Sequence, residues 1–167
     1  MKKETTKIKI EIDIKSYFET GIRDFAFNLI EKITDWNDIW KYRIQLITDE
    51  LCNNAIEHGS EEHSKINIDF EYIQNEFIKI SVSDFGKANS KLKAKDIINK
   101  MEENSLKNQS ELGIRGRGLA FIIKKWCDSL EITDNQYGGI TVSITKLKEN
   151  TVIETQQRTL EEKTIII

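Results

Sequence analysis

The segment from residue 48 to residue 59 reads TDELCNNAIEHG. It contains the residues on which the predicted fold and the predicted chemistry of the chain mainly depend. With the residues before it, this segment predicts a helix from about residue 38 to residue 58, with Gly59 as its natural end. The apolar residues that recur at helical spacing on this helix are Trp40, Ile44, Ile47, Leu51 and Ala55.

Two polar side chains of this helix are predicted to lie on or beside its core face. At about 100° per residue, Asn54 falls roughly 20° from Ile47, and Glu50 falls roughly 60° from it. The same arithmetic puts Asp49 and Asn53 about 160° and 120° away, on the solvent face. Periodicity therefore favours Glu50 and Asn54 over Asp49 and Asn53 as the functional pair.

An acid and an amide beside a core need partners. Asn54 offers a hard oxygen that suits Mg²⁺, and Glu50 could accept a proton from an attacking hydroxyl. The alternative is a helix-edge pair that is hydrogen-bonded to a neighbouring turn. His58, one turn further along the same side, would either approach a nucleotide or cap the helix C-terminus, where a cation is favoured.

The flanking sequence predicts the rest of the architecture. Apolar residues alternate with polar ones near residues 8–14, 66–72, 78–82, 130–133 and 140–147, which indicates strands with one buried face each. A further helix is predicted before residue 33, and another opens near residue 116. Since helices would cover only one side of the sheet, we expect an α/β (α+β) two-layer sandwich with a mixed, mostly antiparallel sheet.

Asp84 and Gly86 form a second candidate site at the end of a predicted strand. A carboxylate at a strand terminus can accept the amino group of adenine, and a glycine lets the base approach the backbone. Phe85 would line such a pocket or simply pack. The alternative is an ordinary turn, in which aspartate and glycine are common.

A third candidate site is the glycine-rich entry into the helix near residue 116, which reads GIRGRGLAF over residues 113–121. A helix N-terminus offers free N–H groups to phosphate, and Arg115 and Arg117 could add charge-assisted contacts. The sequence lacks the Gly-Lys-Ser/Thr of a Walker A loop and the glycine order of a dinucleotide fingerprint. The alternative is a flexible loop with solvated arginines. The polar, lysine-rich residues before it, about 87–115, are interpreted as a mobile lid.

Composition limits the class of protein. The 167 residues suit one domain, with 38% hydrophobic and 32% charged residues and no apolar run near the roughly 20 residues that cross a bilayer. We therefore expect a cytoplasmic protein without a signal peptide or membrane contact. The net charge of −3 argues against direct nucleic-acid binding. Cys52 and Cys127 lie in apolar helical contexts, and we expect buried free thiols.

Taken together, the three motifs resemble those of the GHKL (Bergerat-fold) ATPase superfamily, and most of all the anti-sigma-factor serine protein kinases. The resemblance covers roughly residues 8–147. It rests on Glu50 and Asn54 with the following AIEHG, on Asp84-Phe85-Gly86, and on GRGL at residues 116–119. Ala88 stands where many members have a second glycine, which is a mild change. Sensor histidine kinases have an upstream dimerisation helix with a phospho-accepting histidine. This sequence shows no such helix, so we do not expect a sensor histidine kinase.

The resemblance implies a role for each site residue. Glu50 would be the catalytic base, Asn54 the Mg²⁺ ligand and Asp84 the adenine-specificity residue. The other residues that would bind ATP are His58, Gly86, Arg115, Gly116, Arg117, Gly118 and Leu119. Among these, Gly86 shapes the base pocket, and Gly116 and Gly118 hold phosphates under the lid. Arg115 is the nearer match to a lid arginine on the terminal phosphates, with Arg117 as the alternative.

The resemblance also implies a homodimer that binds a sigma factor and phosphorylates a serine of a STAS-domain anti-anti-sigma protein. The chain would then comprise an ATPase domain over residues 1–148 and a tail over residues 149–167, whose terminal isoleucines could add an edge strand or meet a partner. Two alternatives remain. One is a non-catalytic module that grips a partner when ATP is bound, and the other is an adaptor that has lost nucleotide binding.

Overall fold

The computed structural model describes residues 4–16, 19–61, 63–88, 92–105, 126–148 and 165–166. The strands are β1 (Thr6–Asp13), β2 (Lys65–Ile73), β3 (Phe77–Ser83), β4 (Ser129–Asp134), β5 (Ile140–Leu147) and β6 (Ile165–Ile166). The helices are α1 (Glu19–Ile33), α2 (Ile39–Asn54) and α3 (Ala94–Ser105). A short 3-10 turn, Ile14–Ser16, follows β1, and a wider π-helical turn, Ala55–Gly59, extends α2.

The strands form one sheet in the order β1-β2-β3-β5-β4-β6, and every ladder between them is antiparallel. One isolated parallel bridge joins Ser60 to Gly86 beside the sheet. The predicted mostly antiparallel sheet is therefore confirmed. Ile165 and Ile166 pair with Leu130 and Ser129 of β4, which is the edge-strand alternative for the tail.

The two faces of the sheet differ as the alternating pattern predicts. One face packs against the helices, and side chains from this face and from the helices together form the core, where the largest of them are fully buried. These side chains are Ile30, Ile44, Ile47, Leu51, Ile66, Ile68, Phe70, Ile78, Ile80, Leu130 and Ile144. The other face is polar: Ser143 Oγ donates to Ser81 Oγ at 2.7 Å, and the hydroxyls of Ser83 and Thr141 lie 2.7 Å apart. This is the two-layer α/β sandwich with helices on one face.

Helix α2 confirms the predicted apolar stripe and corrects one prediction about its polar residues. All five stripe residues are buried, from Trp40 to Ala55. Asp49, however, was predicted to face solvent and is only 8% exposed, and Asn53 is half-buried rather than solvent-facing. The prediction assumed one buried stripe, whereas α2 packs against α1 as well as against the sheet.

The packing of α1 explains which flank of α2 remains open. Lys41 pairs with Glu31 of α1 at 3.1 Å, and the rings of Tyr42 and Phe27 lie 5.1 Å apart. At about 100° per residue, Asp49 falls between Lys41 and Tyr42 around α2, on the flank whose residues contact α1. Glu50 projects from the opposite flank.

Part of the segment predicted as a lid is helix α3. Its first residue, Ala94, is buried, and its backbone N–H donates to Asp134 Oδ1 at 3.0 Å. Ile97, Ile98 and Met101 of α3 pack against the core. Residues 89–91 and 106–115 of the predicted lid lie outside the described residues, and its mobility stays a prediction.

The cysteine prediction is confirmed, because Cys52 and Cys127 are both buried free thiols. Burial raises the pKa of Cys127 to about 12, which keeps the thiol protonated at neutral pH. Among the helices that the structure describes, none is long and apolar enough to cross a membrane.

Candidate functional site

Three segments that are distant in sequence meet at one cleft. They are the turn after α2, the residues that follow β3, and the hairpin between β4 and β5. The side chains and backbone that line the cleft belong to His58, Gly59, Asp84, Gly86, Lys87, Leu92, Gly138, Gly139 and Ile140. The sequence motifs around residues 58 and 84 are therefore brought together.

Asp84 is held at this cleft by backbone donors. Its Oδ1 accepts the N–H of Gly86 at 2.8 Å and the N–H of Ile140 at 3.2 Å. Its own N–H donates to the carbonyl of Ile140 at 3.1 Å, so that the residue bonds to β5 in both directions. The carboxyl group is thus fixed in one orientation.

Burial dominates the electrostatics of Asp84, which is 6% exposed. Loss of solvent raises the pKa of this carboxyl, and the hydrogen bonds from Gly86 and Ile140 oppose the rise. A buried carboxylate with few donors is a strong acceptor for an amino group that enters the cleft. This is the chemistry that recognition of adenine requires.

The glycines at the cleft are required by close contacts. A Cβ on Gly59 would lie 2.2 Å from Asp84 Oδ2, and a Cβ on Gly139 would lie 2.2 Å from Asp84 Oδ1. Gly86 has a φ of +74°, and a Cβ there would lie 2.5 Å from the carbonyl oxygen of Gly138. Only glycine allows the three segments to approach the carboxyl this closely.

Glu50 and Asn54 lie on the open flank of α2, and both are half-buried. Asn54 Nδ2 donates to the carbonyl of Glu50 at 2.7 Å, a bond within one helical turn. This bond fixes the nitrogen of the amide toward the helix and leaves Oδ1 as the acceptor available to a ligand. This bond lies within the helix and is not the predicted bond to a neighbouring turn, and the predicted ligand role stays a prediction.

The pKa of Glu50 is raised, first by burial and then by the negative charges of Asp49 and Glu57. A carboxylate with a raised pKa is a better general base near neutral pH than an ordinary glutamate. The base role that the sequence predicts for Glu50 thus fits its surroundings.

The α2 flank and the base cleft lie at the same end of the molecule. Gly59, which touches Asp84, is five positions beyond Asn54 on one continuous helical segment. Glu50 and Asn54 are not among the residues that line the cleft, and their roles on the phosphate side of a nucleotide stay predictions.

His58 lines the cleft, but its side chain is 68% exposed. Its Nε2 lies 4.0 Å from Glu57 Oε2, which is too long for a hydrogen bond. The residue also occupies the last turn of the helical segment. Both predicted roles of His58, nucleotide contact and helix cap, are open to it.

The phosphate loop cannot be placed. Arg115, Gly116, Arg117, Gly118 and Leu119 all lie outside the described residues. Their roles stay predictions.

Several residues in the cleft or beside it escaped the sequence motifs. Asn135, Gly138 and Gly139 belong to the hairpin between β4 and β5, and Lys87 follows the Asp84 motif, where its Nζ donates to the carbonyl of Glu57 at 3.0 Å. The sequence feature that could have identified this hairpin as part of the site is the glycine pair at 138 and 139. A glycine pair in a hairpin indicates either a tight turn or a close approach of another backbone segment.

Residues 18–146 match the model of the family described as the histidine kinase-like ATPase domain, and the chain belongs to this family. The GHKL superfamily resemblance and the fold are thereby confirmed, and ATP binding follows from the family. No curated protein matches the chain.

The described residues fit ATP. The buried acceptor at Asp84 and the glycine-lined contacts at residues 59, 86 and 139 suit an adenine edge. Among the described residues, no group of three or more His, Cys, Asp or Glu side chains could hold a metal ion. Asn54 Oδ1 is an oxygen ligand of the kind that Mg²⁺ accepts in sites with few protein ligands.

Replacing Gly139 by alanine is expected to abolish ATP binding. The added Cβ would meet Asp84 Oδ1 at 2.2 Å, Asp84 O at 2.4 Å and Gly86 N at 2.6 Å, and none of these atoms can move away independently. Overpacking of this kind typically costs about 1–3 kcal/mol of stability. Isothermal titration with ATP and urea unfolding measure the two effects.

The matched control is Gly138→Asn. A Cβ at position 138 meets nothing within 4 Å, and asparagine tolerates its φ of +83°. This variant should be about as stable as the wild type in urea, because its Cβ meets no protein atom. Wild-type ATP affinity and wild-type stability in Gly139→Ala would show that the tight contact at Asp84 is unimportant.

The preference for ATP over inosine triphosphate (ITP) is expected to fall as the pH is lowered through the raised pKa of Asp84. Protonation removes the negative charge of the carboxylate and weakens its bond to the adenine amino group, and the proton returns at a higher pH than for an ordinary aspartic acid. ITP carries the same phosphates as ATP, so their protonation changes both dissociation constants equally. The ratio of the two constants therefore reports only on recognition of the base.

The contribution of Asp84 to the free energy of unfolding of the nucleotide-free protein should instead rise as the pH is lowered. A raised pKa means that the folded state binds the Asp84 proton more tightly than the unfolded state does. The contribution of Asp84 is therefore present at low pH and is lost as the pH rises through the folded-state pKa. Comparing the free energy of unfolding of Asp84→Asn with that of the wild type across pH isolates this contribution. A ratio of ATP to ITP affinity that does not change with pH would contradict the assignment of Asp84 as the acceptor of the adenine amino group.

Proposed function

We propose that the chain is a Mg-ATP-dependent protein serine kinase of the anti-sigma-factor type, acting in the cytoplasm. It would bind a sigma factor and phosphorylate a serine of a STAS-domain anti-anti-sigma protein. Membership of the ATPase family supports the use of ATP, and the resemblance of the three motifs supports the choice of partners. The observation that carries the kinase proposal is the placement of Glu50 on the open flank of α2.

In the proposed reaction, Glu50 takes the proton of the serine hydroxyl as its oxygen attacks the γ-phosphorus of ATP. The bond between that phosphorus and the β–γ bridging oxygen breaks, and ADP leaves. Asp84 holds the adenine amino group, and Asn54 contributes its Oδ1 on the phosphate side. Bound magnesium supplies charge neutralisation on the phosphate oxygens.

The raised pKa of Glu50 supports a role in proton transfer. Its burial is partial, so an incoming hydroxyl can reach the carboxylate, and the nearby charges of Asp49 and Glu57 make it more basic. Asp49 is less suited to the same role, because it is only 8% exposed. The two neighbouring carboxylates are thus distinguished by access.

The variant Glu50→Gln is expected to lose phosphoryl transfer and keep ATP binding. Glutamine preserves the shape of the side chain but cannot accept a proton, and general-base catalysis is typically worth about 10²–10⁴-fold in rate. Transfer of γ-³²P to candidate STAS proteins measures the first effect, and titration with ATP measures the second.

The matched control is Glu57→Gln, which removes a carboxylate from the same segment without removing the proposed base. It should retain transfer within about tenfold. Full transfer by Glu50→Gln would exclude the base role. ATP-dependent complex formation by the wild type, without any phosphorylated product, would instead favour the non-catalytic binding module.

We also propose that the chain forms a homodimer through β1. This strand lies at one end of the described sheet, and its Ile8, Ile10 and Ile12 are only half-buried. Its exposed residues change from basic to acidic along the strand, from Lys9 to Glu11. Antiparallel pairing of two copies about Ile10 would set each lysine opposite an acid of the other copy, which stabilises a strand pair.

The variant Lys9→Glu is expected to weaken this dimer about tenfold or more, because it would place two pairs of glutamates opposite each other. The double variant Lys9→Glu/Glu11→Lys should restore association. Exposed ion pairs contribute little to folding, so that both variants should remain folded. Sedimentation equilibrium gives the dimer constants, and a wild-type monomer at all concentrations would contradict the proposal.

A further inference from the structure

The hairpin between β4 and β5 is docked onto the turn that carries Asp84. Gly139 lies so close that a Cβ on it would be 2.2 Å from Asp84 Oδ1 and 2.6 Å from the nitrogen of Gly86. The rings of Phe85 and Tyr137 stack at 4.6 Å with an interplanar angle of 26°. The position of the acceptor carboxylate therefore depends on the conformation of this hairpin.

One side chain joins the two segments. Asn135 Nδ2 donates to the backbone carbonyl of Asp84 at 2.8 Å and to Thr141 Oγ1 at 3.5 Å. Asn135 Oδ1 accepts the N–H groups of Tyr137 and Gly139, each at 3.0 Å. All the hydrogen-bonding capacity of a side-chain amide, two donors and two acceptor sites, is thus used.

We propose that Asn135 is a positioning residue that sets the base specificity of the ATP site through Asp84. The side chain closes the hairpin with its oxygen and holds the main chain of Asp84 with its nitrogen. Since Gly139 precedes Ile140, whose N–H bonds Asp84 Oδ1, the same amide also aligns that donor. The inference deepens the proposed function, because it rests on ATP binding at this cleft.

The chemistry explains why an amide is needed at this position. Aspartate would keep the two accepted bonds but lose the donor to Asp84, and it would add a negative charge beside a buried carboxyl. Serine can accept from the backbone of a turn, although more weakly, but its side chain is too short to span to Asp84 as well. Both replacements therefore keep the turn and remove the connection to the base site.

The experiment measures dissociation constants for ATP and for ITP on the full chain, with Asn135→Ser and Asn135→Asp as variants. ITP has a carbonyl oxygen where ATP has the amino group that Asp84 would accept. The expected result is a preference of the wild type for ATP that falls about fivefold to tenfold in both variants, the size of one lost hydrogen bond. ITP affinity should change little.

The matched control is Asn75→Asp, which makes the same chemical change in the hairpin between β2 and β3. Asn75 has a φ of +61°, and its Oδ1 accepts the N–H of Asp35 at 2.6 Å, so that aspartate keeps the bond. This variant should leave the ratio of ATP to ITP affinity unchanged while adding one negative charge. Circular dichroism and thermal melts report whether each variant is folded, and if Asn135→Asp does not fold, Asn135→Ser decides.

Equal losses of ATP and ITP affinity in Asn135→Ser, with an unchanged ratio, would assign Asn135 a structural role only and overturn the inference. A wild type without preference for ATP over ITP would also overturn it. Phosphoryl transfer is assayed separately. A wild type that selects ATP but phosphorylates nothing would refute the kinase proposal and leave the role of Asn135 intact.

Discussion

The two backbone hydrogen bonds to Asp84 Oδ1 are the interaction on which the rest of the site depends. One donor follows β3, and the other begins β5, so that a single carboxylate oxygen joins the ends of two adjacent strands. Burying this group is costly, as its raised pKa shows, and the donors offset part of that cost. They can do so only if main chain approaches the carboxyl closely from several sides. The glycines at 59, 86 and 139 are a consequence of this requirement.

Helix α2 places its two adjacent carboxylates in different environments. The sheet and α1 together cover about half of the helix circumference, and Asp49 lies within the covered half. Glu50, one residue later, turns about 100° away and remains accessible. The choice between Asp49 and Glu50 as the catalytic base therefore depends on the helix that packs beside α2. Their adjacent positions in the sequence do not decide it.

Much of the fold was predictable because its signals are local. Alternation located the strands, the apolar stripe located α2, and Asp84 was identified as a base-site candidate from its place at a strand end. The burial of Asp49 was not predictable, because the periodicity of the apolar residues indicates only one packed face of α2, and the second packed face results from α1. Asn135 was missed for a related reason: an asparagine in a hairpin is ordinary, and its bond to Asp84 O spans 51 positions of sequence. Lys146 is likewise buried at an inward strand position, where it lies 4.6 Å from the ring centroid of Trp40 and pairs with Asp128 at 3.1 Å. Such a partnership exists only in the folded chain.

Like charges lie close together around Glu50. Burial is the first cause of its raised pKa, and the charges of Asp49 and Glu57, on the same helical segment, raise this pKa further. Each repulsion destabilises the ionised form of the folded protein. The neutral amide of Asn54 is the neighbour that a cation could share with phosphate oxygens, and positive charge brought by a ligand would relieve this repulsion. Proteins tolerate local instability of this kind at sites where a ligand completes the charge balance.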